Sequence, residues 1–562
     1  MLPLSPDDLP LQRLYRWERE RANLRYLSQP MGGGILCEWT WAQALGEARR
    51  VAAYLRAQQW PAGSRVAILS KNSAYWLMAD FAIWMAGHVS VPLYPTLAAD
   101  SVRQILDHAE AKALFIGKLD AWPTMRAGVP EGVLRIATPL SPEGASDGGI
   151  HWDKILATVV PIADSPVREG SELATIIYTS GTTGMPKGVM HSFDHFAAAS
   201  RTMSEEFTLG QEDRILSYLP LAHVAERVGV EANSVYNGFQ VSFAESLDTF
   251  VKDIQRVQPT VFFSVPRLWV KFQQGIFAKL PKRRLDILFR IPVVGGLLKR
   301  KILQQLGLSQ VRFAATGAAP LPSDVIEWYR NLGLDLLEVY GMTENFGISH
   351  TSRPETMRVG YVGAPWPHVE CRLSEIGEVM VRAPWNMLGY YREPEKTRET
   401  FSADGFLLTG DLGEIDAQGR LRITGRAKEQ FKTSKGKYVA PAPIENRLGA
   451  HPQVEAVCVA GANFQKPFAM LMLPAESLTK ARRDEAFRAE LDAQFKALLS
   501  DVNPTLDPHE QLEFLAIVPE QWTVDNGMVT PTMKIKRAAV EQAYGQYFQR
   551  WSASKSAVIW HA

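Results

Sequence analysis

Five short apolar runs, at 66–69, 114–116, 174–178, 261–263 and 311–315, are separated by stretches long enough to hold a helix and return. Strands revisited through crossovers of that length build parallel sheets with helices packed on them, so the chain is expected to be α/β. A helix is expected just ahead of the first run. Trp41, Ala44, Leu45, Ala48, Val51, Ala52 and Leu55 recur at helical spacing, and Thr40 with Gln43 fits a reciprocal N-terminal cap. The most apolar long stretch, 76–94, is interrupted by Asp80 and His88. A membrane span needs about 20 nearly uncharged residues, so this stretch is expected to be a buried helix and strand.

Beyond about 369 the texture changes. Residues 377–382 and 413–424, the latter with a turn at 416–419, alternate like antiparallel hairpins. Past 426 come strand-like runs at 454–459, 469–473 and 514–518 and one charged helix at 481–499. The expected division is a large domain over 1–425 and a small α+β domain over 426–562. Lys+Arg 61 against Asp+Glu 60 leaves a formal charge of +1, which implies no affinity for nucleic acid. Cys37, Cys371 and Cys458 lie too far apart for a metal-ligand spacing and read as reduced thiols. The amino-terminal residues carry Asp7 and Asp8 and lack the apolar core of an export signal, so a cytoplasmic location is expected.

The run Tyr178-Thr-Ser-Gly-Thr-Thr-Gly-Met-Pro-Lys-Gly-Val-Met-His191 carries the chemistry. It follows an apolar run, so a strand delivers hydroxyls, glycines and a lysine into one tight turn. Glycines let backbone N–H groups approach an oxyanion, Thr179, Ser180, Thr182 and Thr183 add donors, and Lys187 adds a positive charge. A Walker A loop requires Gly-Lys-Ser/Thr in that order. Here Lys187 precedes Gly188 and Val189, so a different phosphate binder is indicated.

This loop resembles the signature of the adenylate-forming superfamily, which contains acyl-CoA synthetases, luciferases and peptide-synthetase adenylation domains. Further segments resemble that superfamily in its own order: Leu219-Pro-Leu-Ala-His-Val224, Thr316-Gly-Ala-Ala-Pro320, Tyr340-Gly-Met-Thr-Glu344, Thr409-Gly-Asp-Leu-Gly413, Thr424-Gly-Arg-Ala-Lys428 and Thr530-Pro-Thr-Met-Lys534. The resemblance implies a large multi-subdomain adenylate-forming domain followed by a small mobile one. It also implies two half-reactions: a carboxylate attacks the α-phosphate of ATP, then a thiol displaces AMP.

On that resemblance Thr179, Ser180, Gly181, Thr182, Thr183, Gly184 and Lys187 hold the phosphates. The same resemblance implies that Tyr340 packs against the adenine, that the small residues Gly317, Ala318 and Ala319 let the backbone reach the base, that Asp411 accepts from the ribose hydroxyls, and that Gly341, Thr343 and Arg426 also contact the nucleotide. Glu344 is similar to the family residue that holds Mg²⁺. Lys428 falls at the hinge, Lys534 at the position that serves adenylation, and Lys432 at the one that serves the thiol step. Thr183 is counted with Glu344, Lys432 and Lys534 among the catalytic residues. Ser434, Lys435 and Gly436 resemble the turn that lines the CoA tunnel, and His223, Val265 and Gly317 the acyl site. The family often shows Gly before the adenylation lysine, where this chain has Met533.

The segments 219–227 and 262–269 resemble long-chain fatty acyl-CoA synthetases more than amino-acid activators. The implied substrates are a fatty acid, ATP with Mg²⁺, and CoA. A fatty acyl-AMP ligase loading a carrier protein is the alternative, and a catalytically silent nucleotide-binding, membrane-associated protein is another. Residues 271–301 hold nine basic side chains against Asp286 alone, a local +8, interleaved with apolar residues. Such a stretch either docks on an anionic membrane, where each nearby cation contributes about 1 kcal/mol, or packs its apolar side on its own domain. In the first case the protein is peripheral on the inner face of the membrane.

Overall fold

The computed structural model describes residues 4–179, 186–319, 321–530 and 533–561. The chain forms two compact units. One comprises Met1–Ala319, Val325–Cys371 and Val381–Leu407; the other comprises Pro320–Asp324, Arg372–Met380 and Leu408–Ala562.

The larger unit is built on an eight-stranded sheet. Its order is Gly389–Tyr390, Lys187–Ser192, Leu173–Thr179, Val89–Leu93, Arg65–Leu69, Ala113–Ile116, Leu134–Ala137 and Ile150–His151. From Leu173–Thr179 onward the pairs are parallel, whereas Lys187–Ser192 runs antiparallel to both of its neighbours. A second sheet starts with the parallel strands Val261–Ser264, Phe313–Thr316 and Leu336–Tyr340. All five apolar runs are thus strands. The run expected at 311–315 begins at Phe313, because Val311 and Arg312 still belong to the turn leading in.

A third sheet has the order Arg214–Ser217, Gln240–Phe243, Arg25–Gly32 and Ile35–Thr40. Its closing hairpin turns at Gly33 and Gly34, both with positive φ, which only glycine adopts cheaply. The helix Trp41–Ala57 starts where the cap predicts: Gln43 N donates to Thr40 Oγ1 at 3.3 Å and Thr40 N to Gln43 Oε1 at 2.9 Å.

The stretch from 76 onward is the helix Ala74–Met85, buried at every residue, and the strand Val89–Leu93. The charge of Asp80 is met in the core. Arg227 Nη1 donates to Asp80 Oδ2 at 2.9 Å and lies 3.1 Å from Glu231 Oε2, with all three side chains fully buried. Burial raises the Glu231 pKa well above the carboxylate range despite the opposing Arg227 charge, so this carboxyl keeps its proton. Arg227 opens a π-helical turn, Arg227–Ala232, and its guanidinium lies 5.1 Å from the Trp76 ring centroid and 5.3 Å from that of Phe196.

The basic stretch spans parts of three helices, Pro266–Lys279, Lys282–Phe289 and Val294–Gln305. Trp269, Phe272, Ile276, Leu285 and Ile302 pack inward, whereas Ile287, Ile291, Val293, Val294 and Leu297 are exposed, Val293 to 78%. Among the described residues no helix is long and apolar enough to cross a membrane.

The smaller unit contains, from Leu408 onward, the hairpin of the strands Leu407–Ile415 and Leu421–Arg426, the short pair Phe431–Lys432 and Tyr438–Val439, and a separate sheet. That sheet has the order Ala456–Ala460, Phe468–Met472, Leu515–Ile517 and Val558–Trp560. The single charged helix expected over 481–499 is instead two, Ala475–Arg483 and Glu485–Val502. Asp484 separates them: it leaves helical geometry and its carboxylate accepts from Phe487 N at 3.0 Å, capping the second helix. The three cysteines are free thiols, and burial pushes the Cys371 thiol up to about 12.

Candidate active site

The run rich in hydroxyls and glycines is flanked by paired strands. Thr179 and Lys187 stand opposite each other in the antiparallel ladder of Leu173–Thr179 and Lys187–Ser192, so the two ends of the loop are clasped. Ser180, Gly181, Thr182, Thr183 and Gly184 lie outside the described residues.

The strand that carries Lys187 is tied to the turn that carries Glu344. His191 Nε2 lies 2.7 Å from Thr343 O, a bond that only an N–H can make, so His191 Nδ1 is bare and accepts from His195 Nδ1–H at 3.0 Å. Both rings are neutral: burial, then the neighbouring imidazole, holds His191 well below the usual histidine range, and burial brings His195 down to about 4. Tyr340 ends the strand Leu336–Tyr340 opposite His350, and the chain then bends sharply. A Cβ on Gly341 would sit 2.2 Å from Gly347 O, so no side chain fits there. Asn345 Oδ1 accepts from Met342 N at 2.8 Å, closing the turn that holds Thr343 and Glu344.

Glu344 and Lys187 meet on one tyrosine. Tyr390 Oη donates to Glu344 Oε1 at 2.8 Å, and Lys187 Nζ lies 4.8 Å from the centroid of the same ring. Tyr390 was not singled out from the sequence. Its run, Gly389-Tyr-Tyr-Arg-Glu-Pro394, carries only a generic strand-then-helix signal, and its partners come from distant segments.

The other predicted residues of this unit sit on loops at strand ends. Gly317 follows the strand Phe313–Thr316, where a Cβ would come within 2.9 Å of Val339 Cγ2. Ala318 has φ +68, a left-handed conformation that non-glycine residues hold at a cost of about 1 kcal/mol. Ala319 is exposed beside it. Val265 is half-buried ahead of the helix Pro266–Lys279. His223 is half-buried and accepts from Ala225 N through Nδ1 at 3.1 Å, so its Nε2 carries the proton when the ring is neutral.

The loop before His223 is fastened from below. Asn72 Oδ1 accepts from Leu221 N at 2.9 Å, and Asn72 Nδ2 donates to Glu226 Oε1 at 3.1 Å. Glu226 Oε1 also accepts from Ser217 Oγ and Tyr218 N. Burial pushes this carboxyl up to about 8, against the lowering effect of its three donors.

The remaining predicted residues belong to the smaller unit. Asp411 and Arg426 pair directly across the hairpin, with Arg426 Nε donating to Asp411 Oδ1 at 2.7 Å. Lys428 is exposed just past that hairpin. Lys432 is exposed, its Nζ 4.7 Å from the Tyr438 ring centroid, and Ser434, Lys435 and Gly436 form the exposed turn between the two short strands. Lys534 N donates to Thr530 Oγ1 at 3.0 Å, and Thr530 N to Lys534 O at 2.8 Å. Met533 has φ +62. A left-handed residue at this turn accounts physically for a preference for glycine there.

Comparison with known proteins decides the family. The model of the AMP-binding enzyme matches residues 18–391, and that of the AMP-binding enzyme C-terminal domain matches residues 428–551. The chain belongs to the AMP-binding enzyme family. This AMP-binding enzyme is 32% identical over 574 residues to the long-chain-fatty-acid–CoA ligase FadD15 of Mycobacterium bovis, covering 94% of each chain. It is 30% identical to the peroxisomal long chain acyl-CoA synthetase 7 of Arabidopsis thaliana, over 93% of this chain and 83% of that one. Its fold matches the A domain of the carboxylic acid reductase of Segniliparus rugosus, solved with AMP and a co-purified carboxylic acid. That match has a TM-score of 0.79 at 22% identity and covers 98% of this chain and 94% of the other. The mixed α/β architecture, with its large amino-terminal and smaller carboxy-terminal parts, is therefore that of the family.

Proposed function

We propose that the protein is an ATP-dependent, AMP-forming fatty acid–CoA ligase acting on long-chain acids. The observation that carries this reading is the likeness to FadD15, a ligase named for that reaction, along 94% of both chains. In the first half-reaction an oxygen of the fatty carboxylate bonds to the α-phosphorus of ATP, and the bond to the departing pyrophosphate breaks. In the second, the CoA sulfur bonds to the acyl carbon, AMP leaves, and the thiol proton is released. Both reactants of the first step are anions, so fixed cations and N–H donors must offset their repulsion.

In this reading Lys187 and the loop 179–184 hold the phosphates, and Gly317, Ala318, Ala319, Tyr340, Gly341 and Thr343 hold the base. Asp411 and Arg426 hold the sugar end, with Arg426 orienting the carboxylate it already grips. Lys534 serves adenylation, Lys432 the thiol step with Ser434, Lys435 and Gly436, and Lys428 is the hinge between domains at 1–425 and 426–562. His223, Val265 and Gly317 face the acyl group, whose burial contributes about 0.8 kcal/mol per methylene.

Glu344 is the residue that would hold Mg²⁺. Among the described residues no group of three His, Cys, Asp or Glu side chains could hold a metal, which suits an ion carried mainly by substrate phosphates. When bound, the ion supplies charge neutralisation on those phosphates.

The basic stretch 271–301 extends the reading to an anionic bilayer. Exposed Ile287, Ile291, Val293 and Leu297 are interleaved in sequence with the cations of 282–284, 290 and 299–301. Pyrophosphate release on adding palmitate tests adenylation, and thioester assays with CoA and with a holo-carrier protein in parallel identify the acceptor. No pyrophosphate with any fatty acid rejects the proposal. Sedimentation with phosphatidylglycerol vesicles, lost on neutralising Lys282, Arg283 and Arg284, tests the docking.

A further inference from the structure

Lys187 and Glu344 carry opposite charges and approach the same side chain, and among the described residues each meets Tyr390 instead of pairing with the other. Tyr390 satisfies both at once: the ring face takes the ammonium, and the hydroxyl donates to the carboxylate. The phenol is 5% exposed. The hydroxyl is the donor in this contact, since an ionised carboxylate can only accept.

The ring is fixed from several directions. Gly389–Tyr390 pairs with Lys187–Ser192 in the register Tyr390↔Val189, and Tyr391 N donates to Gly188 O at 2.7 Å. Tyr390 N donates to Thr397 Oγ1 at 2.9 Å, in the middle of the helix Pro394–Thr400. The turn bearing Glu344 is held to the same segment, because Met387 N donates to Glu344 O at 2.7 Å.

We propose that Tyr390 is a positioning residue that keeps Lys187 and Glu344 apart, so that the cation stays available to phosphate and the carboxylate to the metal. The inference rests on the proposed adenylating function for its purpose, but not for its test of nucleotide binding. Without the ring, an ammonium and a carboxylate at this range close into a direct pair, and each cancels the other's hold on its ligand. A phenyl ring retains the face that Lys187 uses, whereas an aliphatic side chain does not.

The experiment compares Tyr390→Phe, Tyr390→Leu and the double variant Tyr390→Leu/Glu344→Gln with the parent. ATP affinity is measured by titration calorimetry, with and without Mg²⁺, and pyrophosphate release by a coupled assay. Tyr390→Phe should lower kcat about tenfold and leave metal-free ATP affinity within twofold. Tyr390→Leu should weaken metal-free ATP binding about tenfold, and adding Glu344→Gln should restore it to within about threefold of the parent by removing the carboxylate that captures Lys187. An unchanged kcat in Tyr390→Phe overturns the proposal. So does Tyr390→Leu binding ATP like the parent, or a double variant that binds no better than Tyr390→Leu. Because calorimetry needs no fatty acid, a parent that binds ATP but releases no pyrophosphate rejects the ligase function and still leaves the separation of the two charges measurable.

Discussion

Replacing Arg227 by methionine should destabilise the larger unit by about 3–5 kcal/mol, because it strands a carboxylate in the core. The arithmetic follows from the triad. Arg227 is one positive charge facing Asp80 and Glu231, and Glu231 holds a proton, so the buried group is neutral as it stands. Methionine has a similar length and loses little packing against Trp76 and Phe196, which isolates the electrostatic part. Asp80 then has to remain charged without a partner or take up a proton, and either route disfavours the folded state near neutral pH.

Global unfolding of a two-unit chain is not a single transition. The better assay is native-state hydrogen exchange on the helix Ala74–Met85, which carries Asp80 and whose amides report local opening. Arg227→Met should raise their exchange by a factor of about 100 or more. The double variant Arg227→Met/Asp80→Asn should regain most of that protection, because no net charge is left behind. If Arg227→Met exchanges like the parent, or if the double variant is as open as the single one, the neutral-triad reasoning is wrong.

Lys534→Ala should depress adenylate formation at least a hundredfold while ATP affinity falls only a fewfold; comparable losses in single-turnover and equilibrium-binding measurements would remove its transition-state role. Lys432→Ala should leave pyrophosphate release intact and slow thioester formation from preformed acyl-AMP, read by quenched-flow. His195 is neutral when folded, with its pKa near 4 against about 6.5 unfolded, so its contribution is complete above pH 6.5 and is lost as pH falls through 4. Native-state hydrogen exchange on the helix Phe193–Phe207, corrected for intrinsic rates, should therefore show the parent's advantage over His195→Asn shrinking by about 3 kcal/mol between pH 7 and pH 4, whereas a constant difference would show that the ring is not buried neutral. Met533→Gly should retain the adenylation rate, since glycine adopts φ +62 without strain, whereas Met533→Val should slow it.

What the sequence disclosed is what short-range physics controls. The reciprocal cap at Thr40 and Gln43 needs only two side chains and one turn, and it formed as written. The stretch 76–94 declared its burial through composition, although why Asp80 is tolerated there depends on Arg227, which no local pattern connects to it. The hairpin Arg25–Gly32 and Ile35–Thr40 went unread even though Gly32, Gly33 and Gly34 marked its turn, because its strands do not alternate cleanly. The helix boundary at Asp484 was missed because one charged stretch without proline or glycine reads as continuous, and the cap acts through a single carboxylate. Motifs singled out Lys187 and Glu344, but the ring both of them touch is a tertiary fact: their two segments converge on Tyr390, and neither advertises it.

The Asp411–Arg426 pair has a mechanical corollary. Because the two residues face each other across hydrogen-bonded strands, their spacing is set by the ladder and not by any flexible joint. A swivel in the chain downstream of Arg426 cannot pry them apart. The pair is one rigid forceps, its jaws held at a fixed width by the ladder behind them.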